Sequence, residues 1–191
     1  MTSSNDVAQY FIWRCNSENI SISNLKLQKL LYYAQGFHLA ISDIALFRDR
    51  ISAWDHGPVQ KECYYRYRNN GSQNIPSTLA AANDDVFSKE ELNTLNLVFE
   101  TQAHKQAWEL RKQSHKEPTW LKYSIDDDNA TGEEITKDEM KAYFITKITG
   151  EDYFNSFKKS IEAVQSDDDW VEIPNSLSSV DDFMDWIDSP H

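Results

Sequence analysis

The chain has 191 residues, 40% of them hydrophobic and 26% charged, with a formal net charge of −12. A domain of this length buries roughly 70% of its unfolded surface and needs no staple, and Cys15 and Cys63, isolated in apolar patterns, suggest neither a disulfide framework nor a thiolate zinc site. The acidic balance repels phosphate backbones and argues against a nucleic-acid partner; with no basic start and no stretch near the roughly 20 apolar residues of a bilayer span, the chain reads as cytoplasmic with no membrane role.

A first helix is predicted over 6–15, with Val7, Tyr10, Phe11 and Arg14 at helical spacing and Asn5 as cap. In SNLKLQKLLYYAQGFHLAI, Leu27, Leu30, Leu31, Ala34, His38 and Ile41 form an apolar stripe, Ser23 is the N-cap, and Lys26, Lys29 and Gln35 lie away from that face. ALF and ISAW then flank a polar turn at 48–50, which predicts a short β-ribbon near residues 44–54. Gly57-Pro58 reads as a helix start with Pro58 at the first position, closed by Gly71. Ser88 with Glu91 and Thr136 with Glu139 are capping boxes for two later helices. A shorter helix is predicted over 106–114, 118–124 reads as irregular, and 150–165 reads as another helix. Beyond Pro174, Val180, Phe183, Met184 and Ile187 form an apolar face on a last short helix begun by Ser179. The eight carboxylates of 167–191, with no Lys or Arg among them, leave −4 for the first 166 residues. The chain thus reads as mainly α: a compact helical domain over 1–166 with a short β-ribbon, and an acidic linker with an amphipathic tail helix over 167–191.

Asp55 and His56 sit between Trp54 and Gly57-Pro58. Acid-base or nucleophilic work would need a third group, and no G-x-S-x-G or H-E-x-x-H accompanies them, so no catalytic residue is assigned. The pair is expected to bond free N–H groups at the helix start, with Trp54 packed inward. His38, His104, His115 and His191 show no ligand spacing, and His38, among leucines, is expected in the core with one backbone partner; no metal or cofactor is predicted. Asp127, Asn129, Thr131, Gly132 and Asp138 fall at calcium-loop positions, but Asp138 replaces the usual Glu and Glu134 replaces the apolar eighth residue, so a solvated loop is expected. Tyr64, Tyr65 and Tyr67 put rings on both faces of the helix after Pro58, and Tyr suits interfaces. The predicted partner surface is Asp55, His56, Gly57, Pro58, Val59, Tyr64 and Tyr65, joined by Phe183, Trp186 and Ile187 of the tail. That tail either docks on its own domain or enters a partner's groove, the former being preferred.

The ordered set LKLQKLLYYAQGFHLA (25–40), LF (46–47), ISAWDHGPVQKECYYRYR (51–68) and ELRKQSHKEPTW (109–120) resembles the Panacea domain of the SocA-like antitoxins, over roughly the first 125 residues. Thr119 departs locally, the family more often having Pro directly before Trp. The resemblance implies a mostly helical, non-enzymatic protein that neutralises a cognate protein toxin by direct binding. It also implies an alternative, an adaptor that delivers the toxin to a cytosolic protease. Some members carry a further DNA-binding domain; no zinc ribbon or helix-turn-helix addition is legible here.

Overall fold

Seven helices and three strands are present in the computed structural model, which describes residues 2–79 and 84–148. The helices are α1 (Ser4–Ser17), α2 (Asn24–Ser42), α3 (Lys61–Tyr67), α4 (Lys89–Val98), α5 (Ala107–Ser114), α6 (Pro118–Leu121) and α7 (Lys137–Ile148). The strands are β1 (Ile51–Trp54), β2 (Gly57–Gln60) and β3 (Glu134–Ile135), in the antiparallel order β2-β1-β3. The fold is mainly α, as the sequence predicts. The predicted helix over 150–165 and the tail with Phe183, Trp186 and Ile187 lie outside the described residues.

Helix α2 is the axis of the fold, and α1, α3, α4, α5, α7 and β2 all pack against it. Every residue from Lys26 to Leu39 is buried. A helix enclosed on all sides has no solvent face to give its polar residues, so the expectation that Lys26, Lys29 and Gln35 lie away from the core is corrected. Each instead takes a specific partner, as buried polar groups must. Lys26 Nζ donates to Ser21 O at 3.2 Å and Lys29 Nζ to Pro58 O at 2.9 Å. The Gln35 amide both donates to Phe47 O and accepts from Phe47 N, each at 3.1 Å.

That amide clamp explains why ALF is not a strand. Gln35 satisfies the backbone of Phe47 as a ladder neighbour would, while Leu46 and Phe47 are fully buried. The ribbon is displaced along the chain: β1 pairs with β2, Ala53 opposite Pro58 and Trp54 opposite Gly57. Pro58 is therefore a strand residue and not the first residue of a helix, a correction that follows from β2 being an edge strand, where a missing N–H costs no ladder bond. Helix α3 begins later, at Lys61, with the Gln60 side chain accepting from Cys63 N at 2.7 Å. Gly71, at φ +55, ends the 3-10 turn that extends α3, as predicted.

Three of the expected caps are present. Ser88 and Glu91 form a reciprocal capping box, Thr136 and Glu139 cap each other in the same manner, and Ser23 caps α2. Helix α1 is capped by Ser3 with Asp6 and not by Asn5, and 118–124, read as irregular, contains the short α6 with Pro118 at its start. Helix α7 closes the core by running antiparallel to α2. Lys141 pairs with Asp43 beyond the end of α2, Phe144 packs edge-on against Phe37 and Tyr32, and Lys147 lies near Tyr33. The approach requires Gly36, because a Cβ there would overlap the Phe144 ring.

Candidate functional site

The turn at Asp55-His56 rests on a buried polar cluster drawn from four separated stretches. Gly57 takes a positive φ of +95°, a conformation open to glycine. It is also pressed against Lys29 and Ser114: a Cβ on Gly57 would lie 2.7 Å from Lys29 Nζ and 2.8 Å from Ser114 Oγ. Burial pushes the Lys29 ammonium down to about 7, with nearby Arg111 adding to the effect and Glu117 opposing it. Glu117 is itself buried, accepting from Tyr32 Oη at 2.7 Å and Tyr33 Oη at 3.0 Å and pairing with Lys147 Nζ at 2.8 Å. Trp120, fully buried, stacks on His115 at 3.8 Å between centroids and donates its Nε1–H to Trp54 O at 2.9 Å. Burial, then the Arg111 charge, push the His115 imidazole down to about 4.

Above this cluster lies a cleft of about 510 Å3 between the start of α2, the β1–β2 turn, α3 and the loop before β3. Trp54 and Tyr64 form its aromatic wall, edge to face at 5.0 Å. Tyr65 extends the wall outward at 54% exposure, 5.5 Å from the Tyr64 ring, with the Arg68 guanidinium 5.5 Å from its own ring. Asn24 and Gln28 also line the cleft, and their positions are fixed. Asn24 Nδ2 donates to Tyr64 O, Gln28 Nε2 donates to Asn24 Oδ1, and Gln28 Oε1 accepts from Gln60 N. The cleft thus combines exposed ring surface, rigid amides and one guanidinium, a set suited to gripping a polypeptide.

Of the residues singled out from the sequence, Asp55, His56, Val59 and Tyr64 line this cleft. Gly57 and Pro58 are buried beneath it and Tyr65 stands at its rim. Asp55 does not cap a helix; its Oδ1 accepts from Ala130 N at 3.1 Å and ties the turn to the facing loop. Trp54 is half-buried, a wall of the cleft, and Trp120 is the fully buried indole of the region. His38 is buried as expected, but its partner is the Thr94 hydroxyl, 3.0 Å from Nδ1, and not the backbone. The loop with calcium-like spacing is organised by Asp126, whose Oδ1 accepts from Asp128 N and Asn129 N at 2.9 Å, while Asp128 pairs with Arg111 at 2.6 Å. Asp138 belongs to α7, and among the described residues no group of three or more His, Cys, Asp or Glu is placed to hold a metal ion. Sequence reasoning missed Asn24, Gln28 and Arg68. Only Arg68 carried a signal, lying one helical turn beyond Tyr64.

The stretches that meet here also carry the likeness to known proteins. Residues 27–121 match the family model described as "Antitoxin SocA-like, Panacea domain". Over those residues the chain is similar to the SocA-like Panacea domains. Over 69 residues it is 38% identical to the Antitoxin SocA of Caulobacter vibrioides (strain NA1000 / CB15N), covering 36% of this chain and 37% of that relative. The chain therefore spans under two-fifths of the length of the curated relative it matches. No solved structure matches it. Within the matched stretch Lys29, Gly57, Ser114, Glu117 and Trp120 are all buried, and no helix among the described residues is long and apolar enough to cross a membrane.

Proposed function

We propose that this protein is a non-enzymatic antitoxin that neutralises a cognate protein toxin by direct binding, and that the cleft beside Trp54 is where it grips the toxin. The family match supports the antitoxin role. The observation that carries the location is the aromatic wall: Trp54, Tyr64 and Tyr65 stack edge to face with solvent access, in the part of the chain that matches the family. Large rings held rigid at a rim lose little entropy on binding, and so tend to dominate interface energies. Asp55, His56 and Val59 would shape the floor and edge, and Gly57 and Pro58 would act from beneath by fixing the turn.

Co-expression with the toxin encoded beside it tests this. The parent chain is expected to restore growth, and Tyr64→Ala with Tyr65→Ala to weaken binding by about 2 kcal/mol or more, roughly thirtyfold, with an unchanged circular dichroism spectrum. Full protection by that double variant would remove the cleft from the mechanism. Toxin abundance separates masking from delivery to a protease. A steady toxin level supports masking, and a level that falls only when the protease is present supports the adaptor.

A further inference from the structure

We infer that the cleft is occupied, in the toxin-free protein, by the chain's own C-terminal segment 179–188, which the toxin must displace. Three observations converge. The first is direction: α7 runs antiparallel to α2, from Lys141 beside Asp43 to Lys147 beside Tyr33, so its C-terminal end points toward the end of α2 that carries Asn24 and Gln28. Roughly 30 residues separate Ile148 from the segment, able to span about 100 Å extended, whereas a small domain is about 30 Å across. Reach is ample, and tethering holds the segment at an effective concentration of about millimolar.

The second is charge. The first 166 residues are net acidic, yet Lys61, Arg66 and Arg68 are exposed on α3 and the turn after it, with Glu62 as the one carboxylate in that stretch. The tail is the complement, eight carboxylates without a Lys or Arg. The third is chemistry. SVDDFMDWID sets Phe183, Met184, Trp186 and Ile187 among Asp181, Asp182, Asp185 and Asp188. Such a segment suits a cleft walled by Trp54 and Tyr64 and rimmed by Arg68, the apolar side chains against the rings and a carboxylate against the guanidinium. The consequence for regulation, competition between tail and toxin, rests on the antitoxin reading; the docking itself does not.

The test uses the full chain with Trp186 replaced by the photo-crosslinker p-benzoylphenylalanine, irradiated when dilute, digested and mapped by mass spectrometry. Cross-links within one chain to 24–28 and 54–71 are expected, with yields reduced at least about fivefold by Arg68→Glu, by Tyr64→Ala and by high salt. Cross-links to another face, covalent dimers from a second copy, or yields indifferent to both substitutions would overturn the inference. If cross-links map to the cleft while Tyr64→Ala still neutralises the toxin fully, tail docking stands and the toxin binds elsewhere.

Discussion

Gly57 shows how much one position without a side chain can decide. It supplies the positive φ of the β1–β2 turn and lets Lys29 and Ser114 close beneath it. Gly57→Ala adds backbone strain to a collision with both side chains, so a loss of about 1–3 kcal/mol is expected in urea unfolding. Lys29 makes a second prediction. Its folded-state pKa is about 7 against an ordinary 10.5, so between those values the unfolded chain binds more protons than the folded one. Stability then rises with pH from about 7 toward 10.5, by up to about 2 kcal/mol between pH 7 and 9. Thermal unfolding across that range should show the rise in the parent and a flatter profile in Lys29→Met. His115 acts on the acid side. Its imidazole resists protonation down to about 4, so stability falls as pH drops from 6.5 through that value.

Between elements, the seam of α2 and α7 is tight at Gly36, which admits the Phe144 ring where any side chain would obstruct it. Gly36→Ala is expected to cost about 1–3 kcal/mol through overpacking, seen as a lower urea midpoint with an unchanged slope. Glu117 ties the same region together by holding Tyr32, Tyr33 and Lys147. Glu117→Ala removes the acceptor of three donors and should lose about 3–5 kcal/mol. These elements also show what a sequence discloses. The boxes at Ser88-Glu91 and Thr136-Glu139 were legible because a cap is settled within one turn. Helix α2 showed its apolar stripe, but not that Lys29 and Gln35 would be enclosed, because their partners Pro58 and Phe47 lie elsewhere in the chain. Gly57-Pro58 was misread for a related reason: locally it is a good helix start, and only pairing with Ala53 and Trp54 makes it a strand. Half of the cleft was legible, the stretch from Trp54 to Tyr65. The side formed by Asn24 and Gln28 exists only once α2 has packed against β2.

At the scale of the whole molecule, a buried polar cluster supports a turn, and the turn supports a cleft. Lys29, Gly57, Glu117 and Trp120 are buried, whereas Tyr65 and Arg68 stand exposed at the rim. If the cleft holds a toxin as proposed, replacing rim residues should change which toxin is held while leaving the unfolding free energy within about 0.5 kcal/mol of the parent. Pairing rim variants with toxins from related systems would measure that separation.

The placement of α7 bears on synthesis. The helix that covers Gly36, Tyr32 and Phe37 is the last described element, while the surface it covers lies early in the chain. During translation α2 emerges with an apolar groove that stays open until Phe144 has left the ribosome, so a chain cut short before α7 presents that groove to solvent and to proteases. A stalled ribosome would then yield no folded domain, and the amount of folded protein would follow the completion of translation more closely than its initiation.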